Sequence, residues 1–141
     1  MHCFERASLP REMSVAHAYF LREVARKVTS GSRAKSKARS EAFTKAANAF
    51  IECAAIAMSR RKDYFKNAGD CYEHGGDDRK AAKAYYDGED FTRAAQLYRK
   101  VHMFDEAVEV IRAHQDRMDG TVVNQVRDVA RLFYFKELRL E

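Results

Sequence analysis

The chain has 141 residues, of which 46% are hydrophobic and 33% are charged, and its formal net charge is +5. This composition supports one folded domain and excludes a chain that is disordered throughout. No stretch approaches the roughly 18 uncharged apolar residues of a membrane-spanning helix, and no signal segment opens the chain, so we expect an intracellular protein of the cytoplasm or nucleus.

The N-terminal third is predicted to contain two helices and a polar linker. The first helix is expected over 10–28, because Pro10 suits a first helical position. Its apolar face would consist of Met13, Ala16, Phe20, Val24 and Val28. Residues 29–35 read Thr-Ser-Gly-Ser-Arg-Ala-Lys, which indicates a linker, and a longer helix should follow over about 36–59.

Most of the positive charge lies around that linker. Residues 22–45 contain eight basic residues and two acidic ones, so the net charge of this segment is +6. The eight are Arg22, Arg26, Lys27, Arg33, Lys35, Lys37, Arg39 and Lys45. Clustered cations neutralise phosphates, so contact with nucleic acid is one hypothesis, and a solvated basic surface is the other.

The middle of the chain repeats with a period of 13 residues. Ala68, Ala81, Ala94 and Ala107 mark the repeat. Four residues later stand Tyr72, Tyr85, Tyr98 and Ile111, and three residues earlier stand Phe65, Asp78, Phe91 and Phe104. Residues three and four apart share one helix face, so the alanines should let helices approach closely while the aromatic rings fill the space around them.

Short polar segments separate the repeated units. They are Gly75-Gly76-Asp77, Asp87-Gly88-Glu89 and Val101-His102-Met103, with Asp77, Asp90 and Asp105 near the expected helix starts. Acidic side chains there can cap free amides or face the positive end of the helix dipole, and such short turns predict antiparallel neighbouring helices. A last helix is expected over about 121–139, with Val122, Val126, Val129, Ala130 and Phe133 at helical spacing.

Two 13-residue units form a hairpin that resembles the tetratricopeptide repeat over roughly 41–117, although that family's Trp and closing Pro are missing. The resemblance implies an all-α, right-handed α-solenoid of short antiparallel helical hairpins. We divide one continuous domain into residues 1–34, with a partial repeat, the N-terminal helix and the linker, and residues 35–141, with the hairpin stack and the C-terminal helix.

Both ends of the sequence suggest a fragment of a longer protein. Cys3-Phe4-Glu5-Arg6-Ala7 matches the second half of a repeat helix, Cys71-Tyr72-Glu73-His74-Gly75. At the other end, apolar residues surround the last helix: Leu132, Phe133, Tyr134, Phe135 and Leu138. Either another element or a second copy packs on that helix, or the chain end folds back on its own core.

A second resemblance follows from short strings near the N-terminus. A helical region of large proteins that carry a UvrD-like helicase domain is similar to the strings Cys3-Phe4-Glu5-Arg6-Ala7, Pro10-Arg11-Glu12, Ala18-Tyr19-Phe20-Leu21-Arg22-Glu23, Ala42-Phe43 and Ala46-Ala47. These include fungal UvrD-like helicases and animal proteins that combine tetratricopeptide and ankyrin repeats with such a domain. The resemblance implies that ATP-dependent strand separation belongs to another part of the parent, and that this segment is an accessory arm.

No catalytic, cofactor-binding or metal-binding residue is assigned from the sequence. The chain contains no phosphate-binding G-x-x-x-x-G-K-[ST] loop, no G-x-S-x-G, no H-E-x-x-H and no C-x-x-C. Cys71 and His74 lie three residues apart and could form half a zinc site, but no second pair has matching spacing, so a packed thiol is the preferred interpretation. We therefore expect no enzyme activity and no cofactor in this segment.

The function predicted best is that of a non-catalytic protein–protein interaction scaffold. Hairpin stacks form concave surfaces that bind peptides or helices, so the partner would be a protein, a peptide or another domain of the parent chain. The candidate groove residues are Arg79, Lys83, Tyr86, Arg93 and Arg99. The alternatives are a nucleic-acid-contacting arm over residues 22–45 and self-association through the C-terminal helix; no membrane partner is expected.

Overall fold

The computed structural model describes the backbone of residues 2–28, 33–57 and 59–140, and the side chains of residues 12–28, 36–57 and 59–135. Within these ranges the chain is all-α, as the sequence predicts, and contains no strand. Its elements in chain order are α1 (His2–Lys27), α2 (Arg33–Ile56), α3 (Arg61–His74), α4 (Asp78–Asp87), α5 (Phe91–Lys100), α6 (Phe104–His114), a 3₁₀ turn (Gln115–Arg117) and α7 (Gly120–Leu140).

Two predicted boundaries in the N-terminal third are wrong. The first helix begins at His2, not at Pro10, so Pro10 lies inside it. A proline has no N–H to donate, and the helix continues without that one backbone hydrogen bond. At the linker, α2 already begins at Arg33, while residues 29–32 lie outside the described chain. The strings that suggested a partial repeat and a helicase relative begin within α1, where the side chains before Glu12 are not described.

The predicted apolar face of α1 is also wrong. Ala18 and Ala25 are fully buried, whereas Met13 is 66% and Phe20 is 63% exposed. Val15 and Leu21 pack against the same core as the two alanines. Small side chains let two helix axes approach closely, so α1 turns its alanines inward and leaves its larger apolar side chains outside.

The 13-residue repeat predicts the middle of the molecule correctly. Helices α4, α5 and α6 contain 10, 10 and 11 residues. All four marker alanines, Ala68, Ala81, Ala94 and Ala107, have no exposed surface. The rings of Phe91 and Phe104 are each 4% exposed. The repeat therefore forms a core of alanine contacts flanked by aromatic rings.

Three helix ends have the same hydrogen-bonded turn. The N–H groups of Asp77, Asp90 and Met103 donate to carbonyls five residues earlier, at 2.9, 2.9 and 2.8 Å. The preceding residues Gly76, Glu89 and His102 have φ values of 85°, 62° and 62°. This pattern satisfies free carbonyls at the end of a helix and reverses the chain within three residues.

Aspartates cap two of the helices that follow these turns. Asp77 accepts a hydrogen bond from the N–H of Lys80, and Asp90 accepts one from the N–H of Arg93, both at 3.2 Å. Asp105 does not cap α6, because Met103 occupies the cap position. It accepts a hydrogen bond from the Tyr134 hydroxyl instead. Two of the three aspartates are thus caps, and the third, Asp105, lies in the first turn of α6 at the positive end of the helix dipole and ties α6 to α7.

Contacts between helix ends fix the direction of neighbouring helices. Asp78, the first residue of α4, forms an ion pair at 3.2 Å with Lys100, the last residue of α5. Likewise the Phe91 ring at the start of α5 stacks on the His114 ring at the end of α6, with centroids 3.6 Å apart. Such contacts join opposite ends, so these consecutive helices are antiparallel.

Helices that are separated by one helix in the chain order also contact each other. The side chain of Arg22 in α1 donates to Asn67 in α3 at 3.3 Å. Arg93 in α5 pairs with Glu73 in α3 at 2.6 Å, and α5 packs on α7. The core forms two buried clusters, one spanning α1 to α5 and one spanning α5 to α7, and Tyr98 packs against both.

Candidate interaction surfaces

A groove of about 490 Å³ lies where α3, α5 and α7 meet. Its floor includes Leu97 and Phe104, each 4% exposed, together with Val129 from α7. Its polar lining includes Arg93 and Arg99 from α5. These two arginines lie six residues apart on α5. The groove thus combines an apolar floor with a cationic rim.

Ion pairs hold part of that rim in place. The guanidinium of Arg93 donates to both carboxylate oxygens of Glu73, at 2.6 and 2.7 Å. The hydrogen bond to Glu73 is the main reason that the pKa of Arg93 is raised. Lys100 lines the groove and pairs with Asp78 at 3.2 Å. Among the described side chains, Arg99 forms no ion pair, which leaves its charge available at the rim.

The structure brings together only two of the five predicted groove residues. Arg93 and Arg99 line the groove just described. Arg79 is exposed in the first turn of α4. Lys83 lines a separate cavity of about 180 Å³ between α2, α3 and α4, and Tyr86 lines a groove of about 340 Å³ between α4, α5 and α6. The five residues therefore do not form one continuous surface.

An aromatic cluster surrounds Tyr86. Its hydroxyl lies 3.2 Å from Nε2 of His114, and its ring meets the Phe91 ring edge-on at 5.3 Å. The guanidinium of Arg117 lies 5.1 Å from the centroid of Phe91. The sequence repeat predicts the burial of Phe91 but gives no sign of His114, which lies outside the repeated positions. These rings stabilise one another and close the α4–α6 contact.

The basic segment divides into packed and exposed cations. Arg22 lies 4.8 Å from the Tyr19 ring centroid and is half-buried. Arg39 lies 5.4 Å from the Phe43 centroid, and Arg26 pairs with Glu23 at 2.7 Å. Exposed side chains remain at Lys27, Lys37 and Lys45, whereas those of Arg33 and Lys35 lie outside the described part. The structure therefore uses at least two of the predicted phosphate ligands in packing.

The cysteines with described side chains are buried free thiols. Cys53 is 1% exposed and Cys71 has no exposed surface. Burial raises the pKa of Cys71 to about 11, with the neighbouring Asp70 charge adding to the shift. The ring of His74 stacks on Phe43 with centroids 5.4 Å apart. A protonated, enclosed thiol is a poor zinc ligand, and no set of three metal-ligating side chains lies together among the described residues.

In the described chain, no helix has both the length and the apolar character to cross a membrane. Comparisons with models of protein families, with curated proteins and with solved structures find no match to this chain.

Proposed function

We propose that this chain is a right-handed α-solenoid of tetratricopeptide-like hairpins and that it acts as a non-catalytic scaffold for protein–protein interaction. The observation that carries the function is the groove at α3, α5 and α7, with its apolar floor and the charge of Arg99 at its rim. Grooves of this kind bind peptides or helices, because side chains enter the apolar floor while rim charges orient them.

Repeated geometry supports the solenoid. The turns after α3, α4 and α5 share one hydrogen-bond pattern, and their left-handed residues follow each other at intervals of 13. A turn that recurs with the same geometry relates each helix to the next by a similar rotation. Contacts between helices two apart, such as Arg93 with Glu73, then stack the hairpins along one axis.

The groove favours a partner segment that carries an apolar side chain next to a carboxylate. The partly buried Val129 and the small exposed parts of Leu97 and Phe104 would meet the apolar side chain, and Arg99 can pair with the carboxylate. Glu73 and Asp78 already neutralise Arg93 and Lys100, so Arg99 is the rim charge that a partner meets first. An acidic, partly apolar segment of another protein or of the parent chain has this chemistry.

A peptide-display selection tests this function. The intact chain is the bait, and the selected peptides are then measured by fluorescence anisotropy against Arg99→Glu and against Arg79→Glu. We expect enriched peptides with acidic and apolar residues, bound at least tenfold more weakly by Arg99→Glu and unchanged with Arg79→Glu, which reverses an exposed charge outside the groove. If no peptide is enriched, or if both variants lose binding equally, the groove does not have this role.

Contact with nucleic acid is the second candidate function, supported by the exposed cations Lys27, Lys37 and Lys45. We expect that neutralising Lys37 and Lys45 weakens binding to single-stranded and duplex oligonucleotides at low salt, and that binding falls steeply as salt rises. Lys80→Gln with Lys83→Gln removes the same charge elsewhere and is the control. Absence of binding at low salt would eliminate this candidate.

The relation to proteins with a UvrD-like helicase domain also stays a proposal. In that setting the scaffold would be an accessory arm of an ATP-dependent enzyme, and its partner would be another protein or another domain of the same chain. The sequence contains no phosphate-binding G-x-x-x-x-G-K-[ST] loop, so the test is whether a parent sequence joins this repeat to a helicase motor.

A further inference from the structure

A groove of about 340 Å³ lies between α4, α5 and α6 and shares no lining residue with the groove at α3, α5 and α7. Glu106 and Glu109 line it from α6, and both side chains are exposed. The rings of Tyr86 and Tyr98 line it from α4 and α5, together with the buried Val110. Its lining is therefore acidic and aromatic, and we call it the acidic groove.

The cavity of about 180 Å³ that Lys83 lines is the equivalent place one hairpin earlier. Five of its lining residues stand 26 positions before lining residues of the acidic groove, and 26 is twice the repeat of 13. The pairs are Tyr72 and Tyr98, Lys80 and Glu106, Lys83 and Glu109, Ala84 and Val110, and Asp87 and Ala113. The same positions of successive hairpins thus form both cavities, but the two lysines of the first are two glutamates in the second.

The carboxylates of the acidic groove differ in how free they are. Asp105 also lines the groove, but it accepts a hydrogen bond from the Tyr134 hydroxyl. Glu109 pairs with Arg112 at 3.1 Å, and because both side chains are exposed, water screens this pair. Glu106 forms no ion pair or hydrogen bond with any described side chain. Glu106 is therefore the carboxylate that is free to bind a ligand.

The hydroxyl of Tyr98 is a second unused polar group at this groove. Its equivalent in the preceding hairpin, Tyr72, donates a hydrogen bond to Asn48. Among the described residues, the Tyr98 hydroxyl has no hydrogen-bond partner. Burial raises the pKa of Tyr98, and the nearby carboxylates of Glu106 and Asp87 raise it further. The electrostatic potential at this hydroxyl is thus negative, which attracts a positively charged ligand.

We infer that the acidic groove binds a lysine or arginine side chain of a partner protein. The positive group can pair with Glu106, donate a hydrogen bond to the Tyr98 hydroxyl and contact the exposed ring of Tyr86, because a cation is attracted to the face of an aromatic ring. The methylenes of the same side chain can lie against Ala113. Charge, hydrogen bonding and apolar contact thus all select a long basic side chain.

The preceding hairpin rejects the same side chain. There Lys80 and Lys83 line the equivalent cavity, and their charges outnumber that of Asp87. A basic residue is therefore repelled by one hairpin and attracted by the next, which fixes where a basic segment binds along the stack. The acidic groove does not involve Arg99, so this inference and the proposed peptide groove can fail separately.

Fluorescence anisotropy of a labelled peptide with alternating lysine and alanine residues tests the inference on the full chain. We expect binding that weakens as salt rises, because the contact is between charges. Glu106→Gln with Glu109→Gln should weaken this binding about tenfold. Glu41→Gln with Glu52→Gln removes the same charge from exposed positions of α2 and is the matched control, which should bind as the wild type does.

Nuclear magnetic resonance locates the bound peptide. The largest changes in backbone amide shifts are expected at Glu106, Val110 and Ala113, and circular dichroism checks that the variants keep their helix content. Arg99→Glu should still bind the lysine peptide. The variant without Glu106 and Glu109 should still bind the acidic peptides selected for the other groove, so the two sites are tested independently.

The inference is overturned if the lysine peptide does not bind at low salt, if both double variants lose binding equally, or if the shift changes lie outside the acidic groove. Sedimentation velocity checks for a second copy as the occupant. A salt-sensitive self-association of the wild type that Glu106→Gln with Glu109→Gln abolishes would assign the groove to another molecule of this chain and would also overturn the inference.

Discussion

The interior helices and the terminal helices contain similar apolar residues but place them differently. Phe91 and Phe104 are 4% exposed, whereas Phe20 is 63% exposed. Each interior phenylalanine stands three residues before an alanine of the repeat, while Phe20 precedes Glu23 by the same distance.

For Phe91 and Phe104 burial goes with the alanine. Phe65, three residues before Ala68, is only partly buried, whereas Phe50, three residues before Cys53, is fully buried. The predictions below compare substitutions at buried and exposed positions.

The largest effect is expected from Ala94→Glu. Ala94 has no exposed surface and lies at a close helix contact, so the substitution buries a charge without a partner. We expect a loss of more than about 4 kcal/mol of unfolding free energy, enough to unfold the chain. Urea denaturation followed by circular dichroism measures it. Ala38→Glu on the exposed side of α2 is the control and should change stability little.

Phe91→Ala compares the two regions directly with Phe20→Ala. The interior change removes a ring that is 4% exposed and contacts Tyr86, His114 and Arg117, so it should cost about 3–5 kcal/mol. The terminal change removes a ring that water already contacts and should cost less than about 1 kcal/mol in the monomer. Equal losses from both, measured by urea denaturation, would contradict this difference between the two regions.

Gly88→Ala tests the close approach of a turn to α3. A Cβ atom at this position would lie 2.9 Å from the carbonyl oxygen of Lys62, so the backbone must shift. We expect a loss of about 2 kcal/mol. Gly120→Ala is the matched control at the start of α7, because a Cβ atom there meets nothing within 4 Å. In thermal denaturation the melting temperature of Gly88→Ala should fall, while that of Gly120→Ala should change little.

The smallest effect concerns pH. Burial raises the pKa of Tyr85 from 10.0 to about 12, and the nearby carboxylate of Glu73 contributes to the rise while Arg93 opposes it. The protonated hydroxyl of Tyr85 therefore contributes its full stabilisation below pH 10, and this contribution is lost as pH rises through about 12. We expect about 1 kcal/mol of it to be lost by about pH 11. Tyr85→Phe should reduce the alkaline slope measured by urea denaturation; an unchanged slope would contradict this assignment.

Local pattern accounts for the parts of the fold that the sequence predicts well. The alanine spacing fixes which residues of α3 to α6 share a face, and turns with Gly76 or an aspartate cap such as Asp90 end and restart the helices within a few residues. The candidate site is predicted only in part. Arg93 and Arg99 share a groove because they lie on one helix, whereas Lys83 and Tyr86 belong to other surfaces that depend on how separate helices meet.

The sequence by itself determined the helical class, the 13-residue helical unit and the buried thiol of Cys71, because these depend on spacing along one helix and on the few residues beside it. Only the tertiary structure decided which side of α1 is buried and where Arg22 points. The stripe of larger apolar residues with Met13 and Phe20 predicted the wrong buried side of α1, because Ala18 and Ala25 allow a closer helix contact. Arg22 packs beside Tyr19 because helix α3 brings Asn67 within reach of its guanidinium, a partner 45 residues away.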